Sequence, residues 1–254
     1  MPEGLFRNLL KASKVFSIMY KVFSMNRNKL IFVALFVILG IVALQIPINM
    51  LAGAGVKFTL FDLFAPISGA FLGSGLGVVG VVVMQAFNLA MHGFAGVQTD
   101  SFVKFLATLR FLPLIFGALY FSLKQKNNRL ILIVPLLSII AFNLHPIGKT
   151  VWFYSLFWLI PLIVWPIRDR FLIAKSLGST FCAHAVGGAV WIWAFNLPAT
   201  VWISLIPVVV LERAIFAFGI AASYILVNNL ISIISSRLLF LKQVKVDKKY
   251  IVTK

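Results

Sequence analysis

Residues 61–92 read FDLFAPISGAFLGSGLGVVGVVVMQAFNLAMH: one charge, Asp62, and glycines at 69, 73, 75, 77 and 80. As a single helix this run would be about 48 Å long at 1.5 Å per residue. A bilayer core is about 30 Å thick. The flanking charge decides between one crossing and two. A single crossing puts Lys124, Lys126 and Arg129 outside, against the tendency of basic loops to stay inside. Two crossings, or an entry and return, put every strongly basic segment on one side. The run is therefore read as two short helices, about 61–74 and 76–92, broken near Gly73-Ser74-Gly75. Such interrupted spans are tolerated where they are buried in protein or line a cavity.

Working outward, the chain is 61% hydrophobic yet carries a net charge of +17, and 18 of its 23 Lys and Arg fall in residues 1–29, 124–129, 168–175 and 237–254. Apolar runs separate these segments at 30–48, 103–123, 130–145, 151–167, 172–196 and 200–236. The last is too long for one straight crossing; either Pro207 divides it or its end projects into the cytoplasm. The predicted fold is all-α: a polytopic membrane helical bundle of about 6–8 spans with a short-span Gly-rich helical pair at 61–92. A basic amphipathic cytoplasmic segment (1–29) precedes the bundle (30–236), and a basic cytoplasmic tail (237–254) follows it. Both termini are expected inside a prokaryotic plasma membrane. The first apolar run has no small-residue cleavage site after it, so the chain is expected to stay in the membrane whole.

A mean hydropathy of +1.04 excludes an ordinary soluble domain, as does a charged fraction of 11% where soluble domains carry about 25%. The basic segments lack the aromatic-interleaved patch that nucleic-acid binding uses; anionic lipid headgroups are their expected partner. One cysteine, Cys182, excludes an internal disulfide. Three scattered histidines predict no metal site, and no cofactor is expected. HExxH, GxSxG and P-loop patterns are missing, so active transport would need a separate energy source.

Ionisable groups inside a bilayer are costly and mark function. His184 and Glu212 each lie fourteen residues from Pro198, the turn of a predicted helical hairpin. Antiparallel helices would set both about 21 Å below that turn, as a ligand-binding or proton-relaying pair, or as a structural lock with Arg213 competing for Glu212. Toward the outer side, Asn49, Asp62, Asn88, His92, Asp100, Asn143, His145, Trp152, Trp191 and Asn196 would together ring an outward-opening pocket. Each also has a plainer local reading: an interfacial Trp, a turn residue for His145 before Pro146, a helix N-cap for Asp62. Small residues recur every four positions at Gly69, Gly73 and Gly77, at Ala185/Ala189 and at Ala217/Ala221. That spacing lets helix backbones approach closely, for internal packing or for docking another subunit.

The pattern Pro66, Gly69, Leu72-Gly73, Gly77, Gly80 resembles the second and third helices of the membrane-embedded S components of energy-coupling factor (ECF) transporters. Residues 183–190 (AHAVGGAV), Leu197-Pro198, Ile206-Pro207 and Glu212-Arg213 are similar to the closing hairpin of some members. The resemblance covers about half the chain. It implies an outward-facing site for a small nutrient, such as a vitamin or precursor, lined by the first loop and later helices. It also implies a transmembrane coupling protein and cytoplasmic ATPases as partners. The family usually has six helices where eight are read here. The Ala-x-x-x-Ala docking seam of its first helix has no counterpart in 30–48. The sequence is therefore read as a substrate-binding subunit and not an enzyme. The alternatives are an intramembrane enzyme using His184 and Glu212 on a lipid or polyprenyl substrate, and a structural membrane subunit.

Overall fold

The computed structural model of the chain describes residues 26–50, 57–92, 111–125, 128–235, 237–238, 241 and 244–252. Their main elements are eight longer helical segments and one small hairpin: α1 Arg27–Leu44, β1 Pro47–Met50, β2 Lys57–Thr59, α2 Phe61–Leu72, α3 Ser74–His92, α4 Leu112–Ser122, α5 Arg129–Leu144, α6 Trp152–Ile167, α7 Leu172–Phe195 and α8 Ala199–Ile234. By length and composition α1, α3 (over Ser74–Met91) and α8 can each cross a membrane, and α2, α4, α5 and α6 are shorter apolar helices. Most of the segment 1–29 lies outside the described residues.

The break between α2 and α3 is a single residue. Gly73 has φ +86° and ψ 155°, a conformation open to glycine and closed to side chains with a Cβ. A Cβ there would meet nothing within 4 Å, so Gly73 serves the turn and not a packing seam. Its neighbours in the four-residue repeat do the packing. A Cβ on Gly77 would lie 2.5 Å from Gly69 Cα, and one on Gly69 would lie 2.4 Å from Ser122 Cβ. The two helices thus fold back on each other at backbone contact and onto the end of α4. Ser68 Oγ donates across the fold to Gly77 O at 3.2 Å. Gly77→Ala is expected to force the two backbones apart and destabilise the chain by about 1–3 kcal/mol. Gly75→Ala, with open space around its position, should be close to neutral. Thermal unfolding of the two variants in detergent checks this.

α7 is the axis of the bundle, with fourteen of its 24 residues buried. Its small residues admit large neighbours: a Cβ on Gly178 would strike Tyr120, and one on Gly188 would strike Trp158. Ala185 and Ala189 on α7, and Ala217 and Ala221 on α8, are all buried within the chain. Around this axis the distribution of apolar side chains suits lipid. Leu35, Ile38 and Leu39 of α1, Leu137 and Ile140 of α5, and Leu211, Ile215 and Phe218 of α8 are all exposed, a belt far larger than soluble monomers present.

α8 runs unbroken for 36 residues with Pro207 inside it, about 54 Å at 1.5 Å per residue. It therefore outreaches a bilayer core, and its far end is clothed by the chain's own tail. Asn228 exchanges two bonds with the Asp247 backbone (Nδ2 to O 3.0 Å, Oδ1 from N 2.8 Å). Asn229 donates to Tyr250 O at 2.7 Å and accepts from Val252 N at 2.8 Å. The stretch 244–252 of the basic tail is thus strapped along α8.

Candidate functional site

The polar groups inside the bundle gather where α8, α7, α6, β2 and α2 meet. Glu212 and Arg213 of α8 are both buried, side chains 6% exposed, and paired at 3.3 Å (Arg213 Nη2 to Glu212 Oε2). Neighbours in sequence point in different directions on a helix, so this pairing engages one nitrogen and not the bidentate fork. Arg213 Nη1 donates to Thr180 Oγ1 of α7 at 3.2 Å. Its guanidinium lies 5.2 Å from the Phe58 ring of β2 and 4.4 Å from the Phe216 ring. Nε is buried and meets no acceptor among the described residues. A guanidinium has five N–H donors, so this buried cation keeps donor capacity to spare.

Asp62 stands at the start of α2 and is held from the hairpin: Oδ2 accepts from Thr59 N at 2.8 Å and from Thr59 Oγ1 at 3.4 Å. It lies within electrostatic reach of Arg213. Phe58 meets Phe216 edge-on at 5.2 Å. The hairpin β1–β2 therefore seats one aromatic ring over the buried guanidinium while fixing a carboxylate beside it.

His184 of α7 completes the cluster. Trp158 Nε1 donates to its Nδ1 at 3.0 Å, and its Nε2 is 3.3 Å from Tyr154 Oη. An indole N–H can only donate, so Nδ1 carries no proton and Nε2 carries the ring's hydrogen. The ring is neutral, and Tyr154 Oη accepts from it. The Tyr154 hydroxyl proton is then free to donate elsewhere. Tyr154 and Trp158, one turn apart on the 3-10 stretch Trp152–Leu159, are both buried. Tyr154 is within electrostatic reach of both Arg213 and Glu212. His184 and Glu212 thus belong to one cluster through Tyr154 and Arg213. Glu212 is paired with Arg213, and His184 is held by Tyr154 and Trp158.

The other residues expected around an outer pocket are engaged locally. Asn143 Nδ2 donates to Ile139 O at 2.8 Å and Ser155 Oγ at 3.0 Å, clamping α5 to α6. His145 is buried, accepts from Ile147 N at 3.2 Å as the N-cap of the turn Pro146–Thr150, and meets Trp193 edge-on. Asn196 takes a left-handed conformation (φ 45°) that ends α7. Trp152 is exposed and Trp191 packs against Phe195 at 6.1 Å. Asn88 meets Gln45 Nε2 at 3.5 Å, tying α3 to the end of α1. Asn49 pairs through its backbone with Phe58, and its side chain, that of His92 and all of Asp100 lie outside the described positions. Local hydrogen bonds thus engage Asn143, His145 and Asn88.

Thr180, Tyr154, Trp158 and Phe58 were not singled out by sequence reasoning. Tyr154 and Trp158 did carry a signal: polar-tipped rings one turn apart in an otherwise apolar run, each needing a partner when buried. Comparison with protein families, with curated proteins and with solved structures finds no match to this chain.

Proposed function

We propose that this chain is a membrane-embedded substrate-binding subunit for uptake of a small nutrient such as a vitamin or precursor, energised by separate coupling and ATPase subunits. In this reading the eight helices are eight crossings, both termini lie in the cytoplasm of a prokaryotic cell, and α2–α3 form a hairpin of short spans. The observation that carries it is the buried Arg213. A cation inside an apolar bundle is expensive, and this one is paired to Glu212 through one nitrogen, keeps an Nε with no acceptor among the described residues, and lies within electrostatic reach of Tyr154, whose hydroxyl proton is free. Those donors suit a small, flat molecule bearing a carbonyl or carboxylate, clasped by Phe58 and Phe216. Acid–base chemistry at His184, the rival reading, has against it that Trp158 and Tyr154 engage both ring nitrogens.

The test is saturable binding of one molecule from a vitamin and precursor panel by the detergent-purified chain. Tyr154→Phe should weaken that binding about tenfold, the value of one hydrogen bond of about 1–1.5 kcal/mol, with an unchanged circular dichroism spectrum. Equal affinity in the variant would remove Tyr154 from the site. Failure of the whole panel would count against the subunit reading itself.

A further inference from the structure

The basic end of the bundle holds a second polar site, well away from the cluster around Arg213. Lys124 after α4, Arg168 and Asp169 after α6, Lys175 in the first turns of α7, Tyr224 of α8 and Asp247 of the tail line a cavity of about 380 Å³. Its carboxylates are occupied by neutral donors. Asp169 Oδ2 accepts from Gln125 N at 3.0 Å, and Asp247 accepts from Tyr224 Oη at 3.3 Å and Lys249 N at 3.1 Å. Its three cations outnumber these two carboxylates, and no ion pair within 4 Å joins them among the described residues. Among the described residues neither Lys124 nor Lys175 has an ion-pair partner; the Lys175 ammonium rests 4.6 Å from the Phe121 ring centre. Arg168, 1% exposed, spends both terminal nitrogens on α4 carbonyls, and its buried Nε meets no acceptor among the described residues.

We infer that this cavity is a binding site for a phosphate group, presented by an anionic lipid headgroup or as free phosphate. Lys124, Arg168 and Lys175 converge on one polar cavity and outnumber its two carboxylates, and phosphate oxygens accept from ammonium and guanidinium through short, strong charge-assisted bonds. Basic pockets between helices at the cytoplasmic side of a membrane take anionic headgroups in this way. The tail strap, anchored by Asn228 on Asp247, forms one wall, so an occupied site ties the tail to α6 and α7.

The test uses the full chain in nanodiscs. Unfolding midpoints are compared in phosphatidylcholine alone, with phosphatidylglycerol added, and with inorganic phosphate against chloride at equal ionic strength. The basic termini attract anionic lipid in any case, so the deciding reading is the variant. Lys175→Gln is expected to abolish most of the stabilising shift and raise the apparent dissociation constant about tenfold or more. Lys124→Gln, at an exposed position that tolerates change, should do so in part. A shift with phosphatidylglycerol alone assigns the site to a headgroup, and a shift with inorganic phosphate as well assigns it to the phosphate itself. No shift with either, or one that both variants retain in full, overturns the inference.

Discussion

Arg213→Met is expected to destabilise the protein by about 3–5 kcal/mol, the range for removing one partner of a buried ion pair. The carboxylate of Glu212, 6% exposed, would lose its guanidinium 3.3 Å away, and Thr180 would lose a donor. Methionine fills the space beside Phe58 and Phe216 but supplies no charge. The informative comparison is the double variant Glu212→Leu/Arg213→Met. Replacing both members of a buried pair by apolar residues is often neutral or stabilising, so the double variant should recover most of the stability lost in the single one. It should not recover ligand binding. Unfolding of the three proteins in one detergent, followed by binding of the nutrient, separates the pair's two roles.

Arg168→Met is the second large effect, expected at about 3 kcal/mol or more from charged-group hydrogen bonds alone. The side chain reaches from the end of α6 to the C-terminus of α4, donating to the carbonyls of Leu123 and Tyr120 and to Phe121 O at 3.3 Å. A helix leaves its last carbonyls without internal partners, and its dipole favours a cation there. The guanidinium also lies against two rings, 4.6 Å from Tyr120 and 4.4 Å from Trp165. Arg168→Lys should rescue little, since an ammonium cannot fork across three carbonyls or lay a flat face on the rings. Arg170→Ala, two residues on and exposed, should change stability by no more than about 0.5 kcal/mol. Denaturant or thermal midpoints measure the contrast.

The placement of helices was legible because glycine, proline and charge punctuate this sequence. The excess length of 61–92 required a break, and Gly73 provides it with a backbone angle that only glycine adopts readily. Predicted runs at 130–145 and 172–196 end within a residue of α5 and α7. The unbroken α8 resolves the alternatives for 200–236: Pro207 does not divide it, and its end runs on past the bundle.

The faces of those helices were not legible. In water an apolar stripe reveals the buried side; in lipid both sides are apolar, and packing shows only as small residues and isolated polar ones. His184 and Glu212 were therefore found by depth, but their partners Tyr154, Trp158 and Thr180 lie on faces that the pattern does not distinguish. The hairpin β1–β2 was hidden for a different reason. Its strands are three or four residues long, and the first loop read only as a Gly-rich connection. Gly69, Gly73 and Gly77 share one spacing but do different things: the outer two pack backbone to backbone, and the middle one turns the chain.

Whether a small molecule binds at Arg213 is tested most directly by mass spectrometry of what the purified chain carries after exposure to the vitamin and precursor panel. The wild-type protein is predicted to release one small molecule in stoichiometric amount, and the stable double variant Glu212→Leu/Arg213→Met is predicted to release none. The same molecules from both proteins, or only lipid from the wild type, would contradict the proposal that this buried cluster is a substrate site.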